Sequence, residues 1–119
     1  MAESILKVKS YDFALRIVKL ARHLTDVKHE YVLSKQVLRS GTSIGANVEE
    51  ANQAQSRKDF AHKLSIALKE ATETNYWLRL LRDSETLEGK IADSLIDDCE
   101  QIQKMLTASI KTTKTRAEK

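Results

Sequence analysis

Apolar residues recur at spacings of three and four along most of the chain, which is the period of an amphipathic α-helix. The clearest run keeps this spacing without a slip and comprises Phe60, Leu64, Ala67, Ala71, Thr74, Leu78 and Leu81. Ser56, with Asp59 three residues later, resembles a capping box that opens this helix. The pattern predicts helices over about residues 10–27, 30–54, 57–83 and 88–112, with a frayed tail over residues 113–119.

The first predicted helix, with Ser10 as its expected N-cap, is apolar on more than one face. Its charged side chains fall mainly on one stripe, and apolar side chains cover most of the remaining circumference. An apolar arc of this width exceeds what one core requires. We therefore expect this helix to be covered on more than one side.

The second predicted helix continues through two glycines. Val37, Ile44 and Val48 keep one helical phase across Gly41 and Gly45, which a loop has no reason to preserve. Each glycine costs about 1 kcal/mol relative to alanine inside a helix, so we expect another helix to approach the backbone closely here. A phosphate-binding loop is excluded, because the glycine spacing is wrong and neither a strand nor a lysine accompanies it.

The same helix carries few charges. Between residues 36 and 56 only Arg39, Glu49 and Glu50 are ionisable, in a chain that is 31% charged. A solvent-facing helix surface usually carries lysine and glutamate, so the pattern predicts self-association, with an ordinary polar surface as the alternative. The residues predicted to pack at helix or subunit contacts are Arg39, Gly41, Ser43, Gly45, Asn47 and Glu50.

Composition favours one all-α domain over residues 1–119. The 119 residues contain no proline and three glycines, so the chain lacks the turn residues that sheets with tight turns need. Four amphipathic helices with short connections predict an up-down-up-down bundle. The single cysteine, Cys99, fits a core position, and no apolar run is long enough for a signal peptide or a membrane span. We expect a cytoplasmic protein.

Charge is distributed unevenly. The net charge is +3, yet residues 84–110 carry six acidic and two basic side chains, and residues 111–119 carry four basic and one acidic. A positive face could attract a polyanion, whereas the alternative is a set of solvated helix faces. The candidate nucleic-acid ligands are Arg16, Lys19, Arg22, Lys28 and Lys35, with Lys111, Lys114 and Arg116 in the tail as further candidates. Without an aromatic stacking platform, such binding would ignore base sequence and weaken with salt.

Two Asp-x-x-His pairs suggest a metal site, namely Asp26 with His29 and Asp59 with His62. Dimetal bundles place such motifs and further glutamates in the bundle interior. Here one pair falls at a helix junction and the other at a helix start. We therefore expect no metal, no cofactor and no catalytic residue.

Several segments resemble a known family. They are RSGTSIGAN at residues 39–47, EEA at 49–51, S-x-KDF at 56–60 and ET-x-YWL at 73–78. Together they resemble the four-helix-bundle family encoded in intervening sequences of bacterial large-subunit ribosomal RNA, which is related to the accessory variability determinant of diversity-generating retroelements. The similarity extends more loosely over residues 9–114.

This resemblance implies a left-handed up-down bundle that forms a homopentameric ring in the cytoplasm. The retroelement relatives are basic, bind nucleic acid and engage a reverse transcriptase. The expected function is thus a non-enzymatic, homo-oligomeric scaffold or adaptor that binds RNA or DNA weakly, without a membrane or small-molecule substrate. One alternative is an RNA- or DNA-binding accessory protein of a reverse transcriptase-like system. The other is a metal-binding helical-bundle enzyme.

Overall fold

Four α-helices contain most of the chain, and they follow the predicted order. The computed structural model of the protein describes the backbone of residues 2–118 and the side chains of residues 5–116. Over the described residues, no helix is long and apolar enough to cross a membrane. The helices are α1 (Ala2–Asp26), α2 (Leu33–Ala51), α3 (Arg57–Asp83) and α4 (Gly89–Glu118).

The helices form an up-down-up-down bundle, which confirms the predicted all-α fold. Each of α1 and α3 packs against both α2 and α4, so α1 and α3 occupy diagonal corners. Contacts such as Lys9 with Gln101 and Arg16 with Asp98 show that α1 and α4 run antiparallel. The molecule is an elongated rod with extents of 51 × 21 × 20 Å.

The apolar seam of α3 lies in the core, as its spacing predicts. From Leu64 to Leu81 its members are all 1% exposed or less. Thr74 is the polar member, and its hydroxyl is hydrogen-bonded to the Ser40 hydroxyl at 2.9 Å. At the start of the helix, Ser56 accepts a hydrogen bond from the backbone N–H of Asp59 at 3.0 Å, as a cap does.

The two glycines of α2 lie inside a continuous helix and let α1 approach its backbone. A Cβ atom on Gly41 would lie 2.8 Å from both Cγ1 and Cγ2 of Ile17. A Cβ atom on Gly45 would lie 3.3 Å from the carbonyl oxygen of Ser10. The expected close approach is therefore confirmed, and the approaching helix belongs to the same chain.

The predicted start of α1 is wrong, because the helix begins at Ala2 and not near residue 10. Ser10 is not a cap, since it is 1% exposed within the helix and its hydroxyl donates to the Lys7 carbonyl at 3.2 Å. Leu6 is 2% exposed and extends the inner face by another turn. Its burial stabilises a turn that the serine signal alone would exclude.

The boundaries of α2 and α4 also differ from the prediction. Helix α2 begins at Leu33 and not at residue 30, because the Glu30 carboxylate accepts from the backbone N–H of Ser34 at 2.9 Å and lies before the first turn. It ends at Ala51 and not at residue 54. Helix α4 runs to Glu118 and includes most of the predicted frayed tail. Arg57 donates to the Arg116 carbonyl at 3.2 Å and joins that tail to α3, while Lys119 lies outside the described residues.

Cys99 is a core residue, as predicted. It is fully buried, and its thiol donates to the Ala71 carbonyl at 3.2 Å. Burial, assisted by the nearby Glu100 carboxylate, raises the pKa of the thiol from 9.0 to about 12. A thiol in this state is neither a nucleophile nor a metal ligand at neutral pH.

We predict that Gly41→Ala destabilises the bundle. The β-branched Ile17 cannot move its γ carbons without disturbing the core, and such overpacking costs about 1–3 kcal/mol. Because alanine regains about 1 kcal/mol of helix propensity, urea denaturation should show a net loss on the order of 1 kcal/mol. Gly89→Ala is the control, since no atom lies within 4 Å of the added methyl group.

The loss should vanish when Gly41→Ala is made in an Ile17→Ala background, because both γ carbons are then absent. If Gly41→Ala costs the same in both backgrounds, the contact with Ile17 does not explain the glycine.

We predict that Cys99 resists thiol reagents in the folded protein. At pH 8, a thiol with a pKa of about 12 has far less reactive thiolate than an ordinary one. Labelling by 5,5′-dithiobis(2-nitrobenzoic acid) should be at least about 100-fold slower than in urea. The raised pKa also means that the contribution of Cys99 to stability is constant below pH 9.0 and is lost as the pH rises towards 12. Fast labelling of folded protein would contradict the buried assignment.

Candidate functional site

The outer side of α1 carries a row of exposed apolar side chains. Ile5, Val8, Tyr11 and Leu15 are 51%, 59%, 61% and 48% exposed. Their spacings of three and four place them along one side of the helix, away from the buried inner face. The wide apolar arc predicted for the first helix therefore forms two faces of α1, a buried inner face and an exposed outer face. Within the described chain, no other element covers the outer face.

The adjoining surface of α2 extends this row. Leu38 is 37% exposed, Ala46 is exposed and Thr42 is half-buried, and shallow grooves of 220 and 330 Å³ run between the two helices. Contiguous exposed apolar patches on monomers are often functional. We call this surface the α1/α2 apolar face, and it comprises Ile5, Val8, Tyr11, Leu15, Val18, Leu38, Thr42 and Ala46.

A second, smaller apolar surface lies on α3. Tyr76 and Leu80 are 48% and 36% exposed and are four residues apart, so they share one side of the helix. The Tyr76 ring is held edge-on against Trp77, with a centroid separation of 5.1 Å. We call Tyr76 and Leu80 the α3 corner. Because α1 and α3 are diagonal in the bundle, the α3 corner and the outer side of α1 face in different directions.

Arg39 joins α2 to α3 within the chain. Its guanidinium forms ion pairs with Glu70, at 3.4 Å, and with Glu73. Glu73 also accepts from the Trp77 indole N–H at 2.8 Å. The Arg39 side chain is 50% exposed, so solvent screens these pairs and their net contribution to stability is modest.

Of the other residues predicted at contacts, the two glycines lie where two helices pack closely, and Ser43, Asn47 and Glu50 form hydrogen bonds on the partly exposed surface of α2. Gly41 and Gly45 face α1, whereas Glu50 accepts from Lys63 of α3 at 3.0 Å. Ser43 donates to the Arg39 carbonyl at 2.6 Å, and Asn47 donates to the Ser43 carbonyl at 2.8 Å. Among the described residues, α1 carries the largest group of exposed apolar side chains of any one helix, and its sequence signal was the width of the α1 apolar arc.

The structure does not bring the five predicted basic residues together. Arg16 and Lys19 line a 320 Å³ groove between α1 and α4, and Arg16 is paired with Asp98 at 2.6 Å. Arg22 and Lys35 line the groove between α1 and α2, and Lys28 lies in the connection that joins those helices. The five side chains are thus divided between two grooves and a connection. The carboxylate of Asp98 offsets the charge of Arg16.

Two features shift pKa values among the described residues, an ion pair on the surface and the burial of Cys99. Arg82 donates hydrogen bonds to Asp83 and Asp93, which lowers the pKa of Asp83 and raises that of Arg82. This ion pair is exposed to solvent. The other shifted pKa is that of the buried Cys99 thiol. Shifts of this kind do not prepare an acid or a base for catalysis.

The two Asp-x-x-His pairs also lie in different parts of the structure. His29 lies in the turn after α1 within 3.2 Å of the Tyr31 hydroxyl, and His62 lines a surface cleft at the start of α3. Among the described residues, no three His, Cys, Asp or Glu side chains lie close enough together to hold a metal ion.

Comparisons with known proteins agree with the fold. The family model of the 23S rRNA-intervening sequence protein matches residues 3–108. A crystal structure of a protein with unknown function, from the S23 ribosomal protein family of Bacteroides thetaiotaomicron VPI-5482, is 52% identical and has a TM-score of 0.92. That match covers 93% of this chain and 99% of the other. A search of curated proteins gave no match. With the match extending over all four helices, the chain belongs to the 23S rRNA-intervening sequence protein family.

Proposed function

We propose that this protein is a non-enzymatic subunit of a homo-oligomeric ring, with five copies as the expected number, and that the ring serves as a scaffold or adaptor. The observation that carries the proposal is the α1/α2 apolar face. The core is already filled from α1 to α4, so the bundle does not need these exposed side chains for its own packing. Their burial against another copy would remove the unfavourable contact with water.

The positions of the two apolar surfaces favour a ring over a twofold dimer. A twofold dimer uses the same patch on both subunits, whereas a ring joins two different patches head to tail. The α1/α2 apolar face and the α3 corner are different patches on diagonal helices. The face of one copy against the corner of the next therefore gives a contact that can close around an axis.

Polar residues at the edges of the α1/α2 apolar face add area to the contact. Lys7 of α1 and Glu49 of α2 form an ion pair at 3.6 Å beside the apolar row. Stable interfaces bury about 800 Å² per partner, with an apolar centre and a polar rim. Lys7 and Glu49 would belong to such a rim.

Nucleic-acid binding is a second candidate function. Residues 57–63 and 111–116 carry six basic and one acidic side chain, and both segments lie at the same end of the bundle. A concentration of positive charge at one end attracts polyanions. A ring would repeat this end at equivalent positions and multiply the charge of one subunit.

We predict that Tyr11→Glu breaks the ring into smaller species, because a carboxylate at the centre of the face would have to be buried without a partner. Sedimentation velocity should show that the oligomer is replaced by smaller species, down to the 13.5 kDa monomer. Val27→Glu is the matched control, since Val27 is also 61% exposed but lies outside both apolar surfaces. Equal behaviour of the two variants would contradict the assigned face.

We predict that Tyr76→Glu also breaks the ring, and that mixing the two variants restores one contact. A Tyr11→Glu subunit keeps its α3 corner and a Tyr76→Glu subunit keeps its α1/α2 apolar face. The mixture should therefore form a heterodimer near twice 13.5 kDa. An intact oligomer of Tyr76→Glu would exclude the α3 corner and favour a twofold contact.

A further inference from the structure

A basic cleft lies between the start of α3 and the end of α4. Its volume is about 540 Å³. The cleft is open to solvent, and its basic side chains are exposed. Its lining residues are Arg57, Lys58, Ala61, His62, Ser65, Thr113 and Lys114.

The continuation of α4 beyond the predicted end creates this cleft. Thr113 and Lys114 belong to helical turns that the sequence suggested would fray. The hydrogen bond from Arg57 to the Arg116 carbonyl, at 3.2 Å, holds the end of α4 beside the first residue of α3. The Thr113 hydroxyl donates to the Ser109 carbonyl at 2.8 Å and supports the same turn. The basic side chains of two helices are thereby brought to one place.

Within the side chains described, carboxylates do not pair with the basic residues of the cleft. Among the side chains that the structure describes, none of the four basic residues of the cleft forms an ion pair. Asp59 is the one acidic residue of the two segments that form the cleft. In contrast, Arg16 and Arg39 on other faces are paired with Asp98 and with Glu70 and Glu73. The positive charge of the cleft is therefore available to an external anion.

The chemistry of the lining favours contact with phosphate groups and not with bases. Three cationic side chains and an imidazole can donate hydrogen bonds to phosphate oxygens, whereas the hydroxyl groups of Ser65 and Thr113 donate to backbone carbonyls of their own helices. The lining contains no Phe, Tyr or Trp on which a base could stack.

The cleft is also compatible with assembly. The pair α3 and α4 lies on the side of the bundle opposite α1 and α2. The α3 corner lies near the other end of α3, more than ten residues from Ser65 along the helix. Repetition of the cleft in each copy would suit a ligand whose charges also repeat along a chain.

We infer that this cleft binds the phosphate backbone of a nucleic acid without regard to base sequence. The inference rests on the proposed nucleic-acid binding and gives it a location, which includes Lys114 of the tail candidates and none of the five main candidates on α1, α2 and their connection. The basic side chains supply both the hydrogen bonds and the electrostatic attraction to phosphate.

The test compares two triple variants that remove the same charge. The cleft variant is Arg57→Gln with Lys58→Gln and Lys114→Gln. The matched control is Lys19→Gln with Arg22→Gln and Lys35→Gln, which changes the exposed basic residues of α1 and α2. Fluorescence anisotropy measures binding of a fluorescein-labelled 30-nucleotide polyuridine at 50–200 mM salt, and light scattering shows whether each variant keeps the wild-type mass.

The cleft variant should bind at least about tenfold more weakly than wild type, and the slope of log K against log salt should fall by about 2, because three phosphate contacts are lost. The control should stay within about threefold of wild type. A polythymidine DNA of the same length should behave like the RNA, since phosphate contacts carry no base information.

If the control loses affinity and the cleft variant does not, the location is wrong while the proposed nucleic-acid binding stands. If wild-type protein fails to bind either polymer at 50 mM salt, the binding function itself is rejected. A strong preference for one of the two polymers would contradict recognition through phosphate alone.

Discussion

The close approach of α1 to the backbone of α2 determines the outward surface of this protein. Gly41 leaves room for the γ carbons of Ile17, and Gly45 leaves room for the Ser10 carbonyl. Neither position accepts a side chain without movement of α1, so the contact sets both the distance and the rotation of that helix. With Ile17 facing α2, the row through Tyr11 and Leu15 must face outward. The exposed apolar face is thus a consequence of the glycine contact.

Features that depend on residues close together in the sequence could be predicted from the sequence. The seam of α3 and its Ser56 cap were visible because both are set by spacing within one helix. The start of α1 was not, because a serine before an apolar run looks the same whether it caps a helix or is buried in one. What distinguishes them is the burial of Leu6 by the other helices, which local pattern does not show. The end of α4 was missed for a similar reason, since its support comes from Arg57.

The candidate surfaces show the same limit. A charge-poor segment on α2 indicates burial, but it does not say whether the cover is the same chain or another copy. Ser40 illustrates this, because it lies in the charge-poor segment and is hydrogen-bonded to Thr74 in the interior of the same chain. The apolar arc of α1 was the more informative signal, since a helix needs only one inner face. The pairing of Arg16 with Asp98 likewise depends on the register of α1 and α4.

The central claim is that another copy of this chain covers the α1/α2 apolar face. The α3/α4 cleft lies on the other side of the bundle, so assembly and anion binding can coexist in one molecule. Native mass spectrometry of the unaltered protein tests the claim most directly. The account predicts a discrete assembly at five times 13.5 kDa, and a single species at 13.5 kDa across micromolar concentrations would contradict it.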